Sequence, residues 1–391
     1  MAFLLGRYRY FGEYPRVMRI YNHPIASQSI TRREFLELGG MGIAAALDLF
    51  VPPTKNLTRL LSQSDFHAKI TNSILADINK VEVLPPNQQG RVVDPSVNVY
   101  DIPSLSGTRL NTYWRDWVLP ISEITIGKSE DSFNMVWYKL ADEGYVHSGS
   151  IQPVLTITNP VTLNLPQGGT LAEVTVPFTD AHWDPGQDKP VAYRFYYATT
   201  YWVMEIVQDT DGNPWYGVRD DKWEYMFYVP ASHLRLIPAN ELNPISADVP
   251  SYMKRIEVHI PEQVMIAYEY DQPVFMARIA SGAIFSNGDY STPTGRHQTF
   301  HKRASRHMAR GNLAANGYDL PGVPWNSYIT EDGIAFHGTY WHNNFGRPRS
   351  HGCINLTSQA AKWVYLWTKP DAPPYQEDVY KATGTNVDII G

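Results

Sequence analysis

Cysteine is almost missing from this chain: 391 residues contain one, Cys353. A lone thiol excludes an intrachain disulfide framework, so any special role for it is chemical rather than structural crosslinking. Charge is sparse too, at 18% of residues with a net charge of −6, and a mildly acidic body is not the footprint of a nucleic-acid binder. Long apolar runs are also lacking. The best candidate, Leu38 to Val51, is about fourteen residues and contains Asp48, short of the ~20 needed for a membrane-spanning helix. What the chain does have is 25 Tyr, 11 Trp, 29 Pro and 27 Gly, a composition that favours many short strands joined by turns over long helices.

Charge is unevenly spread. Residues 1–59 hold eight Lys/Arg against four Asp/Glu, which leaves about −10 on the remainder. Inside this basic leader, residues 1–51, Arg32-Arg33 is followed by Phe35-Leu36 and a weak Gly/Ala-rich apolar run. That order resembles a twin-arginine export signal, with Ala44-Ala45-Ala46 offering small residues for cleavage. Asp48 keeps an ordinary amphipathic helix open as the other reading. The resemblance implies delivery to the cell envelope or periplasm, with membrane contact at most through the leader.

Residues 52–90 carry two proline pairs around a polar, helix-compatible stretch from Leu57 to Lys80 and read as a spacer. Beyond it, Trp117 to Val154 and Trp202 to Ile237 share one pattern: an alternating strand, a glycine turn, a Trp-Tyr strand, then a short polar turn. This is an internal repeat. It resembles tandem bacterial SH3-like barrels, here expected over 91–157 and 158–249, modules that in exported proteins often hold cell-wall peptide. The repeated aromatics read equally as barrel core. Pro238, Pro244 and Pro250 mark a linker into a final segment, 250–391, where Ile256 and Val258 alternate with Arg255, Glu257 and His259 as in a half-buried strand. The expected class is mainly β with few helices, one of them over Ser358 to Trp367 with Thr357 as N-cap.

Cys353 lies in Ser350-His351-Gly352-Cys353-Ile354-Asn355, sixteen residues after His337 of His337-Gly338-Thr339. It is a nucleophile with two candidate bases, since either imidazole can reach a sulfur after folding and activate it. Gly352 lets the backbone approach a substrate and aim N–H groups at a developing oxyanion. These residues read as acyl-transfer machinery.

The two motifs resemble the signature of the L,D-transpeptidase catalytic domain. Three further pieces follow that family's order: opening strands near 254–282, Thr292-Pro293-Thr294-Gly295, and the closing Gly384 to Ile389. The resemblance covers roughly 250–391. It implies a peptidoglycan acyltransferase in which Cys353 attacks the bond between an L-centre and D-alanine in a tetrapeptide stem. A thioester forms and passes to an amine from a neighbouring stem. In the same way it implies His337 as base, His351 as a shaper of the oxyanion pocket, and no cofactor or metal. Asn355 stands where many members carry arginine and others asparagine, so substrate-carboxylate recognition is the open part of the match.

Around this core the readings branch. Ser350 either orients His351 or caps the turn. Gly338, Thr339, Tyr340, Arg347, Arg349 and Asn355 are candidates for substrate contact, the arginines through forked bonds to a carboxylate. Tyr318, Trp325, Tyr340 and Trp341 could wall a peptide groove or simply pack. A rival site is a zinc centre from His337, His342, His351 and Cys353, although their spacing lacks the paired short loops of common zinc folds. Rival functions are an L,D-carboxypeptidase using water as acceptor and a non-catalytic wall-binding protein. Cysteine peptidases often joined to SH3-like modules place histidine after cysteine, whereas all twelve histidines here lie at or before His351.

Overall fold

Alternating apolar residues punctuated by turns produce a molecule built of short strands, with one α-helix among the described residues. The computed structural model describes residues 84, 87–127, 133–311 and 317–391, together with the paired two-residue strands Val17–Met18 and Ile30–Thr31. The leader's Arg32-Arg33 and Ala44-Ala45-Ala46, and the spacer from Leu57 to Lys80, lie outside the described residues. Among those described, no helix is long and apolar enough to cross a membrane.

The repeat seen in the sequence is a repeat of topology. In the first unit, strands β1 (Gln89–Val92), β2 (Ser96–Tyr100), β3 (Arg109–Trp114), β4 (Val118–Ile126), β5 (Val136–Leu140), β6 (Gly144–His147) and β7 (Ile151–Val154) form a sheet ordered β3-β2-β6-β5-β4-β1-β7. The second unit runs β8 (Thr170–Val174), β9 (Phe178–His182), β10 (Val191–Tyr196), β11 (Thr200–Gln208), β12 (Pro214–Arg219), β13 (Met226–Pro230) and β14 (Leu234–Leu236), ordered β10-β9-β13-β12-β11-β8-β14. The two orders are identical. Each unit also has a 3₁₀ turn before its last strand, Ser148–Ser150 in one and Ala231–His233 in the other. The repeated Trp-Tyr pairs are core: Trp137, Tyr138, Trp215 and Tyr216 are each 1% exposed.

The final segment packs two sheets around α1 (Ser358–Trp367). One sheet, ordered β17-β16-β15-β22-β18, contains β15 (Lys254–His259), β16 (Val264–Glu269), β17 (Gln272–Arg278), β18 (Gly295–Gln298) and the C-terminal β22 (Asn386–Ile390), which runs parallel to β15. The other is led by β19 (His301–Arg310), β20 (Tyr318–Tyr328) and β21 (Ala335–Gly338), with Ile354–Leu356 added parallel to β21 and Val379–Tyr380 added to β19. Ile256, Val258, Met265 and Phe275 from the first sheet meet Phe336, Ile354 and Leu356 from the second, and Ala361, Val364 and Trp367 of α1 close the core. Burial of each large apolar side chain stabilises by about 1.5–3 kcal/mol. Contrary to strict alternation, His259 is buried with the apolar residues.

Both ends of α1 are satisfied. Thr357 Oγ1 accepts from Ala360 N–H at 3.2 Å, the cap expected from sequence. At the other end, buried Lys302 donates to the carbonyls of Tyr365 and Thr368, and Lys254 donates to that of Trp367 at 3.1 Å. Two buried lysine side chains thus donate to orphan carbonyls at the C-terminal end of the helix, although burial pulls both their pKa values down, that of Lys254 to about 8.

The second unit grips the β19–β20 hairpin through buried His307, whose Nδ1 meets Asp220 and Nε2 meets Asp319. Burial favours the neutral ring, but hydrogen bonds and charge from the two carboxylates outweigh it and raise the His307 pKa. A raised folded-state pKa contributes stability that is complete below about 6.5, the unfolded value, and is lost as pH rises through the folded value. Thermal unfolding of the full chain should therefore show falling stability as pH rises past neutrality. That pH dependence should shrink in His307→Asn; an unchanged profile in the variant would assign it to other groups.

Candidate active site

Strand register brings the histidine and cysteine motifs together. β21 pairs in parallel with Ile354–Leu356, setting Phe336 beside Ile354 and His337 beside Asn355. Phe336, Ile354 and Leu356 point into the core. Alternation then puts His337, Asn355 and Cys353 on the other face, because successive side chains change sides. Cys353 immediately precedes its strand and is half-buried, whereas His337 is buried.

The turn before the cysteine is fastened at several points. Gly352 has φ +113°, a conformation that side chains resist. Its N–H donates to Ser350 Oγ at 3.2 Å, and Ser350 Oγ donates to the carbonyl of Cys353. Ser350 therefore caps the turn; its hydroxyl does not reach His351. From outside, Thr292 of the Thr-Pro-Thr-Gly motif donates to the Gly352 carbonyl and accepts from Gly282 N–H, both at 2.8 Å. Since a Cβ on Gly352 would also come 3.3 Å from Ile334, Gly352→Ala should cost about 1–3 kcal/mol of stability and depress Cys353 reactivity. Thermal melting with thiol alkylation checks this; unchanged values in both would show that the turn tolerates a side chain.

The electrostatics give a neutral pair. Burial pushes the Cys353 thiol up to about 11, partly opposed by the Ala335 N–H that points at the sulfur. The thiol donates to the Gly333 carbonyl at 3.7 Å. Burial also pulls the His337 imidazole down to about 4. His337 Nδ1 lies 3.0 Å from the Gly338 carbonyl, and a carbonyl only accepts, so Nδ1 carries the proton and Nε2 presents a lone pair. The expectation from sequence that a nearby imidazole would depress the thiol pKa meets the opposite shift, because burial disfavours both charged forms. Burial thus leaves both groups uncharged near neutral pH.

His351 is exposed and stacks on Phe285, with ring centres 4.8 Å apart, and edge-on to Tyr290 at 4.6 Å. Burial and the charge of Arg310 lower its pKa. Its ring contacts lie with Phe285 and Tyr290 on the solvent side of the turn.

Several candidate substrate contacts are placed where a substrate does not reach. Tyr340 is 3% exposed, with its hydroxyl on the Pro321 carbonyl, and Trp325 is 2% exposed in the core. Asn355 is buried with its side-chain amide 3.0 Å from His342 Nε2. Thr339 is buried against the His342 and Leu356 carbonyls, and Gly338 is required because a Cβ there would meet Pro324 and Ser358 at 2.8 Å. Arg349 lies 3.5 Å from Asp94 of the first unit. Arg347 stays exposed, and Trp341 and Tyr318 are half-buried. His342 faces Asn355 while His351 faces Phe285, and among the described residues no three of His, Cys, Asp and Glu gather to hold a metal ion.

Sequence reasoning missed Gly333, Tyr328 and the role of Thr292. Burial raises the pKa of Tyr318 and pushes that of Tyr328 up to about 12. A cleft lined by Phe300, Arg306, Tyr328, Thr330, Glu331 and Gly333 opens beside the sulfur's hydrogen-bond partner. Only the Thr292 motif left a signal in the sequence; the others depend on the hairpin turn at 330–333.

Residues 253–389 match the model of the YkuD family, the L,D-transpeptidase catalytic domain. Among solved structures, the Ldtfm–avibactam carbamoyl enzyme is 24% identical over 36% of this chain and 49% of its own, with a TM-score of 0.28. An L,D-transpeptidase from Xylanimonas cellulosilytica is 20% identical over 35% of this chain and 59% of its own, with a TM-score of 0.25. The catalytic domain of the Enterococcus faecium L,D-transpeptidase is 23% identical over 35% of this chain and 96% of its own, with a TM-score of 0.28. The match thus spans about half the length of the first two structures. No curated protein matches the chain.

Proposed function

We propose that this chain is an exported peptidoglycan L,D-transpeptidase whose nucleophile is Cys353. The observation that carries the reading is the His337 tautomer beside the cysteine turn: Nδ1–H is held by Gly338 and leaves Nε2 as the base on the face that bears Cys353. As the sulfur attacks the carbonyl between the L-centre and D-alanine, its proton passes to His337 Nε2. The oxyanion is met by the backbone N–H of Cys353, since the Gly352 N–H is already engaged by Ser350. One such donor is worth roughly 3 kcal/mol. His337 then protonates the departing D-alanine amine, leaving a thioester. An acceptor amine attacks the thioester and loses its proton through His337, so a new amide forms and the thiol returns.

The two repeats are read as SH3-like units, over 91–157 and 158–249, that precede a catalytic domain at 250–391. Their identical strand order and matching 3₁₀ turns support this. Delivery to the cell envelope or periplasm rests on the leader, and stem peptides are the expected partners.

Incubation with a disaccharide-tetrapeptide, followed by mass analysis, tests the reaction. A cross-linked dimer with release of D-alanine is expected. A tripeptide alone would make water the acceptor and the protein a carboxypeptidase, and unchanged tetrapeptide would remove the proposal. A carbapenem, whose strained carbonyl suits the same attack, should add once per chain by intact mass. The adduct should be missing in Cys353→Ala.

A further inference from the structure

The segment 339–350 joins the strand bearing His337 to the turn bearing Cys353, and the first repeat holds it along its length. Near its start, Arg91 of β1 donates through Nη2 to the Tyr340 carbonyl. The rest of that guanidinium is fully committed: Nη1 donates to Asp116 at 2.8 Å, and Nε and Nη2 donate to Gln152 Oε1 at 3.1 and 2.7 Å. The ring of Tyr196, from the second repeat, lies 4.1 Å from it and stacks in turn on Tyr340 at 5.2 Å. Further along, Asn343 donates its N–H to the Gly149 carbonyl at 3.2 Å and its side-chain amide to the Ser148 carbonyl at 3.1 Å. At the end, Arg349 approaches Asp94, whose second oxygen accepts from Ser150 at 2.7 Å.

What the segment carries explains why its position matters. Trp341 follows the residue fixed by Arg91, and its ring centre is 5.8 Å from that of His337. His342 braces Asn355, the strand neighbour of His337. Arg91 itself is 2% exposed, and a buried guanidinium gives up hydration that only a complete set of partners offsets. Removing any one partner leaves a buried guanidinium N–H unpaired.

We propose that Arg91 is a positioning residue for acyl transfer: it fixes the 339–350 segment so that Trp341 keeps water from His337 and His342 holds the neighbouring strand. The first repeat is then a part of the active domain, in addition to anything it binds. This rests on the acyltransferase reading, with His337 as base.

The test is a histidine-selective NMR titration of the full chain in wild-type and Arg91→Gln forms, with His337 assigned from the His337→Asn spectrum. Wild-type His337 should stay neutral until pH falls to about 4. In Arg91→Gln, water reaching the ring should raise the midpoint by at least about one unit, towards the ordinary 6.5. With tetrapeptide substrate, kcat should fall about tenfold while KM stays within about twofold, since the substrate contacts remain. A lowered melting temperature with an unmoved His337 midpoint would make Arg91 merely structural and overturn the proposal. If Arg91→Gln does not fold, Asn343→Ala, which removes the side-chain bonds to the Ser148 carbonyl and the Tyr138 hydroxyl, takes its place: a raised His337 midpoint supports the proposal and an unmoved one overturns it. The titration needs no substrate, so a wild-type protein that makes neither dimer nor tripeptide would sink the transpeptidase reading while leaving the effect of Arg91 on His337 decided.

Discussion

Replacing Cys353 by alanine should abolish acyl transfer, by at least about 10⁴-fold, because there is no second thiol and the remaining groups only bind and polarise. The fold should survive. The sulfur makes only weak bonds, 3.7 Å to the Gly333 carbonyl and one from the Ala335 N–H, and the turn is held instead by Ser350 and Thr292. Cys353→Ala deletes one atom from a half-buried position, so its cost should sit at the low end of large-to-small substitutions, about 0.5–1.5 kcal/mol. Circular dichroism and melting should therefore overlay the wild type while dimer formation disappears. Residual cross-linking at a tenth of the wild-type rate would be enough to reject Cys353 as nucleophile.

His337→Asn should lower turnover about 10²–10⁴-fold, the usual worth of a positioned general base. The shape of the pH profile is the sharper sign. With His337 held neutral by burial down to about 4, wild-type kcat/KM should fall only as pH drops through that value, and the variant should lack this acid limb. Because burial pushes the thiol up to about 11, wild-type alkylation by iodoacetamide should still be rising above pH 9. A plateau near neutrality would mean a standing thiolate and a different activation. His351→Ala should lose less activity and keep the acid limb, since that ring touches Phe285 and Tyr290 and not the proton path. If the limb vanishes in His351→Ala and persists in His337→Asn, the two roles are reversed.

Much of the site was readable because its chemistry sits in contiguous strings. Ser350 to Asn355 and His337 to Thr339 name the proposed nucleophile, the turn and the proposed base, and parallel pairing of two adjacent strands is all that joins them. The helix Ser358–Trp367 was readable for the same local reason, with its cap and apolar face in one stretch. Burial was not. Tyr340, Asn355 and Thr339 look like exposed groove residues in the sequence, yet each is covered by partners from elsewhere along the chain: Pro321, His342 and Leu356. The sign of the thiol shift was lost with it, since an imidazole nearby and a low-dielectric surrounding push in opposite directions and only packing says which prevails. The lysines at the end of α1 were hidden likewise, 66 and 113 residues away from the carbonyls they satisfy.

The two 3₁₀ turns have a consequence for how such assemblies are detected. In the first repeat, the carbonyls of Ser148 and Gly149 receive Asn343; in the second, the carbonyl of Ser232 receives Asn159, from both its N–H and its side-chain amide. The same corner of the same topology docks two unrelated segments, and each time the accepting group is main chain. An acceptor that every residue possesses leaves no trace in residue identity. The corner can thus change sequence freely and keep its partner, and the information that joins one module to the next is written in backbone direction, where a comparison of side chains alone does not read it.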